Sequence, residues 1–386
     1  MENFIKQNLL KLTHPIAYLT IFVLFALGSF AYGQGKSVTE DCKDKKNNSK
    51  KSKKNNPKVK PQIVNTGNRA KVWNSNSINS FVFRTSARKK IVTEKSIDVH
   101  PKVYISLCIL QGNIKVNGWG RNEARVFING RKNDPVGFKV RERDKQEKKP
   151  VWIQIVGYDP KESAETNYNT CLSGDIEIDV PKNASIRIQN TKGESETSID
   201  SVRNAKVEVL GGDIYLSNIS DRIDANTYQG GVTVRNSSGK MSLSTTTGNI
   251  VAYNTYSQEF GDYFKAKTRS GAITLQSVEQ KEVFSSSISG SINYVGKIRE
   301  YGKYDFSTTN GSINLAIPAS TSCQLIAAYG GSFQSELPLK NIAKERTSSL
   351  VFLRGQIGDG EANLNLKSFN GTISIREKKE SVLADF

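Results

Sequence analysis

Histidine is nearly missing from this 386-residue chain, which has only His14 and His100. A zinc site built on several histidines is thereby excluded, and a Ser-His-Asp triad would have to rest on His100, around which no nucleophile motif stands. Cysteine is scarce as well. Cys42, Cys108, Cys171 and Cys323 contain no Cys-x-x-Cys pair, which argues against a metal centre or thioredoxin-like redox chemistry. No segment combines helical periodicity with caps, so almost no helix is expected. Past residue 30 there is no long hydrophobic run either, and no transmembrane helix is expected in the mature chain. Hydrophobic residues make up 37% of the sequence, below the roughly 45–50% of ordinary globular domains, as a thin core would require.

What is present begins with charge. The formal net charge is +18, of which residues 34–60 carry +7 through ten lysines. Lys6 and Lys11 precede the apolar run Ile16–Phe30, and Ala31 and Gly33 follow before Gln34. A basic start, an apolar core and a small-x-small exit predict a secretory signal peptide over 1–33, hence an exported protein that is periplasmic, outer-membrane-associated or extracellular. Residues 34–60, rich in Lys and Asn, read as a disordered tether. It serves either as a solvated spacer or as an electrostatic contact with an anionic surface.

The body of the sequence is organised by a recurring glycine-led strand. Copies start at Gly174, Gly193, Gly212, Gly231, Gly248, Gly271, Gly290, Gly311, Gly331 and Gly371. Their steps are 19, 19, 19, 17, 23, 19, 21, 20 and finally 40 residues, the last read as a double step. A period near twenty built from alternating apolar residues marks a stack of short strands. A second strand set lies between the glycines, for example Lys206–Val209, Arg222–Ala225 and Lys240–Leu243. The fold class predicted is all-β, a β-helix or β-solenoid of about 10–11 coils and about 50 Å long at roughly 4.8 Å per coil. Ile and Leu after each Gly point inward, and Ser, Thr and Asn line the outside.

Gly112 begins an isolated first copy, after which residues 119–170 interrupt the pattern with strand candidates at Ala124–Ile128, Val136–Val140 and Val151–Val156. These and the charged insert between them predict an irregular N-terminal β cap over the open strand edge. The expected division is therefore a signal peptide (1–33), a tether (34–60), a first coil with cap (61–170), a solenoid (171–377) and a tail (378–386). Cys108 and Cys171 precede successive copies and form the most plausible disulfide pair. Aligning Gly112 with Gly174, however, sets Cys171 against Ile109, with the two thiols on opposite faces, which weighs against the bond.

Several stretches together resemble a known family. They are Gly112-Asn-Ile-Lys-Val-Asn-Gly-Trp119 with Glu123–Val126, the linker Val180–Ser185, and the closing Gly358–Leu366 and Ser368–Ile375. The combination resembles the bacterial "putative adhesin" family of β-strand-repeat proteins over about residues 95–377. That resemblance implies an envelope-associated β-solenoid of unassigned function and brings no catalytic residues.

Chemistry in the repeats themselves is thin. Asp175, Asp213 and Asp359 fall near glycines but do not stack as calcium-binding β-rolls require, so no metal or other cofactor is assigned. A carbohydrate-active β-helix enzyme, lyase or glycosidase, would need two carboxylates in one cleft, and no acidic cluster recurs at coil spacing. The binding candidates lie in the two longest coils. One carries Tyr253, Tyr256, Phe260 and Tyr263, and the other carries Lys297, Arg299, Tyr301 and Tyr304, with Tyr294 at an inward position. Inserts in a repeat map to loops on one face, and aromatic rings beside cations suit sugars and acidic polymers. The expected function is a non-enzymatic binding or scaffold module at the cell envelope. Its expected partner is an anionic polysaccharide or envelope surface, not a nucleic acid. The alternatives are the enzyme and a purely structural rod.

Overall fold

The computed structural model describes residues 92–129, 136–157, 171–190 and 192–379, all within the unit Phe83–Phe386. The expected leader and tether lie outside the described residues. Alternation of inward apolar and outward polar side chains divides the chain into short strands. The first group is β1 (Val92–Asp98), β2 (Tyr104–Gln111), β3 (Ile114–Trp119), β4 (Glu123–Asn129), β5 (Val136–Val140), β6 (Trp152–Gly157), β7 (Leu172–Ser173) and β8 (Asp175–Pro181). Next come β9 (Ser185–Asn190), β10 (Thr197–Asp200), β11 (Asn204–Gly211), β12 (Ile214–Ser217), β13 (Arg222–Gln229), β14 (Val232–Ser238), β15 (Lys240–Thr247) and β16 (Ile250–Tyr256). They continue as β17 (Tyr263–Ser270), β18 (Ile273–Val278), β19 (Glu282–Ser289), β20 (Ile292–Val295), β21 (Lys303–Asn310) and β22 (Ile313–Ile317). The last group is β23 (Cys323–Tyr329), β24 (Phe333–Ser335), β25 (Lys340–Arg346), β26 (Val351–Ile357), β27 (Ala362–Ser368) and β28 (Ile373–Glu377). Among the described residues the one helical piece is a 3-10 turn, Glu142–Asp144.

The strands form two sheets. Sheet A has the order β1-β4-β8-β3-β10-β12-β14-β16-β18-β20-β22-β28-β24, and sheet B runs β25-β26-β23-β27-β21-β19-β17-β15-β13-β11-β9-β2-β6-β5, with β7 also beside β2. From β9 to β22 the chain alternates between sheets, so each pair of strands is one coil and like residues stack in register. The architecture is a β-solenoid. Its core is a single cluster of buried side chains from Val99 to Ile375. One inward column of sheet A reads Ile214, Val232, Ile250, Ile273, Ile292, Ile313 and Ile373, each fully buried. Each such aliphatic contributes roughly 1.5–3 kcal/mol on burial.

Sequence order and spatial order part at both ends. β8, the Gly174 copy, lies outside β3, the Gly112 copy, and β9 and β10 return to its inner side. At the other end β27 and β28 are inserted between the coils β21–β22 and β23–β24. The 40-residue step is therefore not a double step. Residues between the Gly331 and Gly371 copies form the antiparallel pair β25–β26, which lies along β23 at the sheet edge. At the N-terminal end β4 runs antiparallel to β1 and β8, and β5 antiparallel to β6.

The glycines stack at the edge where the chain passes from sheet B to sheet A. A Cβ on Gly230 would lie 2.2 Å from the Gly212 carbonyl oxygen, one on Gly290 1.9 Å from that of Gly271, and one on Gly371 1.9 Å from that of Gly311. Each carbonyl thus occupies the space that the next coil's side chain would need. Gly212 and Gly230 also have φ of +101° and +135°, a region that only glycine enters cheaply. The stack runs through Gly230 rather than the expected Gly231. At the expected Gly193 copy it runs through Ser195, whose carbonyl faces Gly212.

Those carbonyls accept hydrogen bonds from an inward hydroxyl column in sheet B. Thr245 donates to Gly230 at 2.8 Å, Thr268 to Gly248 at 3.1 Å, Ser287 to Gly271 at 3.0 Å, Thr308 to Gly290 at 2.9 Å and Ser368 to Gly311 at 2.8 Å. Hydroxyls expected only on the outside therefore also satisfy the buried spine. Asp213 accepts the Gly231 N–H at 2.7 Å and so pins one coil to the next. At the opposite edge, Ser201, Asn218, Asn236, Asn254 and Ser277 stack with φ between 47° and 58°, forming a second column of tight corners.

Cys108 and Cys171 form a disulfide, with Cα atoms 4.6 Å apart. The alignment argument against it fails at one residue. Gly112 and Gly174 do stack, but a bulge between Ile109 and Gln111 sets Leu172 beside Ile109. Cys171 is then beside Cys108 on the outer face. Cys323 is free and buried, and burial pushes its thiol up to about 12.

Gly230→Ala is expected to cost about 3 kcal/mol or more through backbone strain and the clash with Gly212. Thr245→Val, nearly isosteric, leaves the Gly230 carbonyl unpaired and is expected to cost about 1–3 kcal/mol. Denaturant unfolding of both variants checks this. Reducing the Cys108–Cys171 bond releases a loop of 63 residues and should lower stability by about 2–4 kcal/mol, read as a drop in melting temperature with reductant.

Candidate functional site

Two connections on the edge opposite the glycines are longer than the rest. The first, 257–262, follows β16. Its carboxylate Asp262 is buried and accepts the N–H groups of Gln258 at 2.8 Å and Glu259 at 2.9 Å. That closed turn puts Phe260 at its tip, 103% exposed. Tyr256 is 44% exposed beside it, whereas Tyr253 and Tyr263 are half-buried on the outer faces.

The second connection, 296–302, links β20 to β21. Here Tyr301 is 75% exposed with φ +59°, and Lys297 and Arg299 are exposed, Arg299 paired to Glu279. Tyr304 does not belong to this surface. It is fully buried, as is Tyr294, because both fall on the inward phase of their strands. Tyr294 lies edge-on to Tyr304 at 6.0 Å and beside Phe306 at 5.3 Å. Their hydroxyls hold the loop down: Tyr294 donates to the Lys297 carbonyl at 2.7 Å, and Tyr304 accepts the Arg299 N–H at 2.9 Å. Burial pushes the Tyr294 hydroxyl well above the ordinary phenol range and raises that of Tyr304.

One ordinary coil, β18–β19 with its short connection 279–281, separates the two loops, about 10 Å apart at two strand spacings. Gln280 in that coil couples them and was not foreseen. Fully buried, its side chain accepts the Thr255 hydroxyl at 2.9 Å and donates to the Tyr256 carbonyl at 3.0 Å. Its own carbonyl accepts the Tyr304 hydroxyl at 3.3 Å. Of the expected site residues, the fold therefore gathers Tyr256, Lys297, Arg299 and Tyr301 along one exposed edge, with Phe260, and takes Tyr304 into the core.

A concavity lies on the outer face of sheet B at the N-terminal cap. Residues of the charged insert stand beside β2, β6 and β9, and together they line an open groove of about 560 Å³ that includes Tyr104, Arg141, Arg143, Trp152, Arg187 and Gln189. Register explains the floor, since Tyr104 pairs with Trp152 and Ser106 with Arg187. The signal in the sequence was the run Arg141–Lys149 between two strands whose outward positions are aromatic or polar. Among the described residues no group of His, Cys, Asp and Glu is placed to hold a metal ion, and no helix is long and apolar enough to cross a membrane.

The family model described as Toastrack DUF4097 matches residues 39–376. Among solved structures, the chain is similar to a "putative adhesin" from Bacteroides fragilis at 12% identity, with a TM-score of 0.30, covering 74% of this chain and 97% of that one. It is also similar to a "putative cell adhesion protein" from Clostridium sporogenes at 12% identity, with a TM-score of 0.20, covering 75% and 100%. A "putative lipid binding protein" from Parabacteroides distasonis follows at 13% identity, with a TM-score of 0.28, covering 73% and 96%. No curated protein matches the chain.

Gln280→Leu is expected to cost about 1–3 kcal/mol, because the Thr255 hydroxyl and Tyr256 carbonyl lose their buried partner. Tyr301→Ala should stay within about 0.5 kcal/mol of the parent. Melting curves of the two variants separate the strut from the surface.

Proposed function

The chain belongs to the Toastrack DUF4097 family, and from that membership we propose an exported, non-enzymatic, adhesin-like binding module that meets an anionic polysaccharide or the envelope surface through its long-loop edge. The observation that carries this reading is the exposure of Phe260, Tyr301 and Tyr256 on two neighbouring connections held rigidly from beneath. Water gains nothing from a Phe ring at a loop tip, whereas a partner surface gains its full apolar area. Lys297 and Arg299 beside the rings favour an acidic partner. Rigid loops also limit the ordering entropy that binding would cost.

Export is supported by the basic, apolar and small-residue succession over residues 1–33 and by the disulfide, which persists in oxidising compartments. The lysine-rich segment 34–60 would lengthen the reach of such a module.

Binding of purified protein to isolated cell envelopes and to acidic polysaccharide tests the proposal. Tyr256→Ala, Phe260→Ala and Tyr301→Ala together should weaken binding at least about tenfold at unchanged melting temperature. Unchanged binding would rule out the loop edge. Release of reducing ends from the polysaccharide would replace binding with catalysis.

A further inference from the structure

The cap groove is a second site, remote in sequence from the long loops, and its chemistry is more selective. Three guanidinium groups, Arg141, Arg143 and Arg187, line one concavity of about 560 Å³ with Trp152, Tyr104 and Gln189. That volume lies within the roughly 300–1,000 Å³ of small-ligand sites. Two carboxylates lie nearby, and one oxygen of Asp144 is buried without a hydrogen-bond partner. Glu208 accepts from Arg187 at 3.2 Å and Gln189 at 2.9 Å and pairs with Lys206, and Asp144 is buried against Arg143 at 3.6 Å. Arg141 has no ion pair among the described residues and stands 4.7 Å from the Trp152 ring centroid. The buried Nε of Arg187 has no acceptor. Arg143 and Arg187 are thus each matched by one carboxylate, while the Arg141 fork and the Arg187 Nε are left over beside an aromatic wall.

We infer that this groove binds a sugar ring bearing an oxyanion. The guanidinium forks match a planar or tetrahedral oxyanion in a bidentate way that lysine cannot reproduce. Tyr104 and Trp152, paired in register on the floor, offer flat apolar area with polar tips to a ring. The charged insert between β5 and β6 is the wall of the site, and the Cys108–Cys171 bond closes the loop that carries it. This inference does not depend on the long-loop edge.

The test titrates purified protein with an oligogalacturonate, a heparin-derived oligosaccharide and mannose 6-phosphate, and with neutral cellohexaose as control. Tryptophan fluorescence and calorimetry are the readouts. At least one acidic probe is expected to bind and to change fluorescence, with affinity falling as salt rises. Which of the three binds separates carboxylate, sulfate and phosphate. Arg141→Ala and Arg143→Ala, both at exposed positions, should each weaken it at least about tenfold, and Arg141→Lys should weaken it less. Trp152→Phe should remove the fluorescence change, while Phe260→Ala and Tyr301→Ala leave it intact. Binding of cellohexaose as tight as that of the acidic probes, no binding of any acidic probe, or unchanged affinity in both alanine variants would overturn the inference.

Discussion

The structure depends on one close approach, a backbone carbonyl sitting where the next coil's side chain would begin. Around 2 Å separates each glycine carbonyl from the Cβ position of its neighbour, for instance 2.0 Å between Gly230 and Gly248. No residue with a side chain fits along that line once φ is positive. The approach has a polar cost, because a carbonyl turned toward the next coil needs a donor in the interior. Thr and Ser on the adjoining strand provide it along the regular coils. Glycine and hydroxyl are therefore one device in two parts, and coil spacing, strand register and inward phase all follow from it.

Much of this was legible in the sequence. A period near twenty with alternating apolar residues fixes two sheets and the inward columns, because coils that repeat must stack like on like. The resemblance read from Gly112–Trp119 and the closing coils agrees with the Toastrack match. Local ambiguity defeated some details. In Gly230-Gly231 nothing in the letters says which residue takes positive φ, and at the third rung Ser195, not Gly193, stands in the line. The Cys108–Cys171 pairing turned on a single bulged residue. Insertion of β27 and β28 between older coils is a non-local event with no trace in spacing beyond one step of 40. Tyr304 is different. It occupies the same strand phase as Phe264 and Val283, so its burial could have been read from alternation alone.

Both candidate surfaces arise where the repeat is broken, for a common reason. Inside the regular stack each side chain has a fixed neighbour above and below, and the surface is a flat field of ladders. An extra stretch of chain must leave that field, and it then either bulges as a loop or folds back across a sheet. The long loops took the first course, with Gln280, Tyr294 and Tyr304 as struts beneath them. The insert before β6 took the second and produced concavity. Aromatic exposure without enclosure suits an extended surface, whereas arginines in a hollow suit a discrete group.

The threading of the last coil also sets a timetable. β23 and β24 rest on β27 and β28, which leave the ribosome after them. Until Ile373–Glu377 has emerged, the Gly331 coil has no floor, and the coil ending at Ile317 has no roof. A chain cut short by a few dozen residues would thus not be a shorter version of the same stack, for it would lose an interior layer and not a terminal one. The same holds for growth over generations. Duplicating the final coil in place would not simply extend the end of the stack, since that coil's neighbours on both sides are already taken.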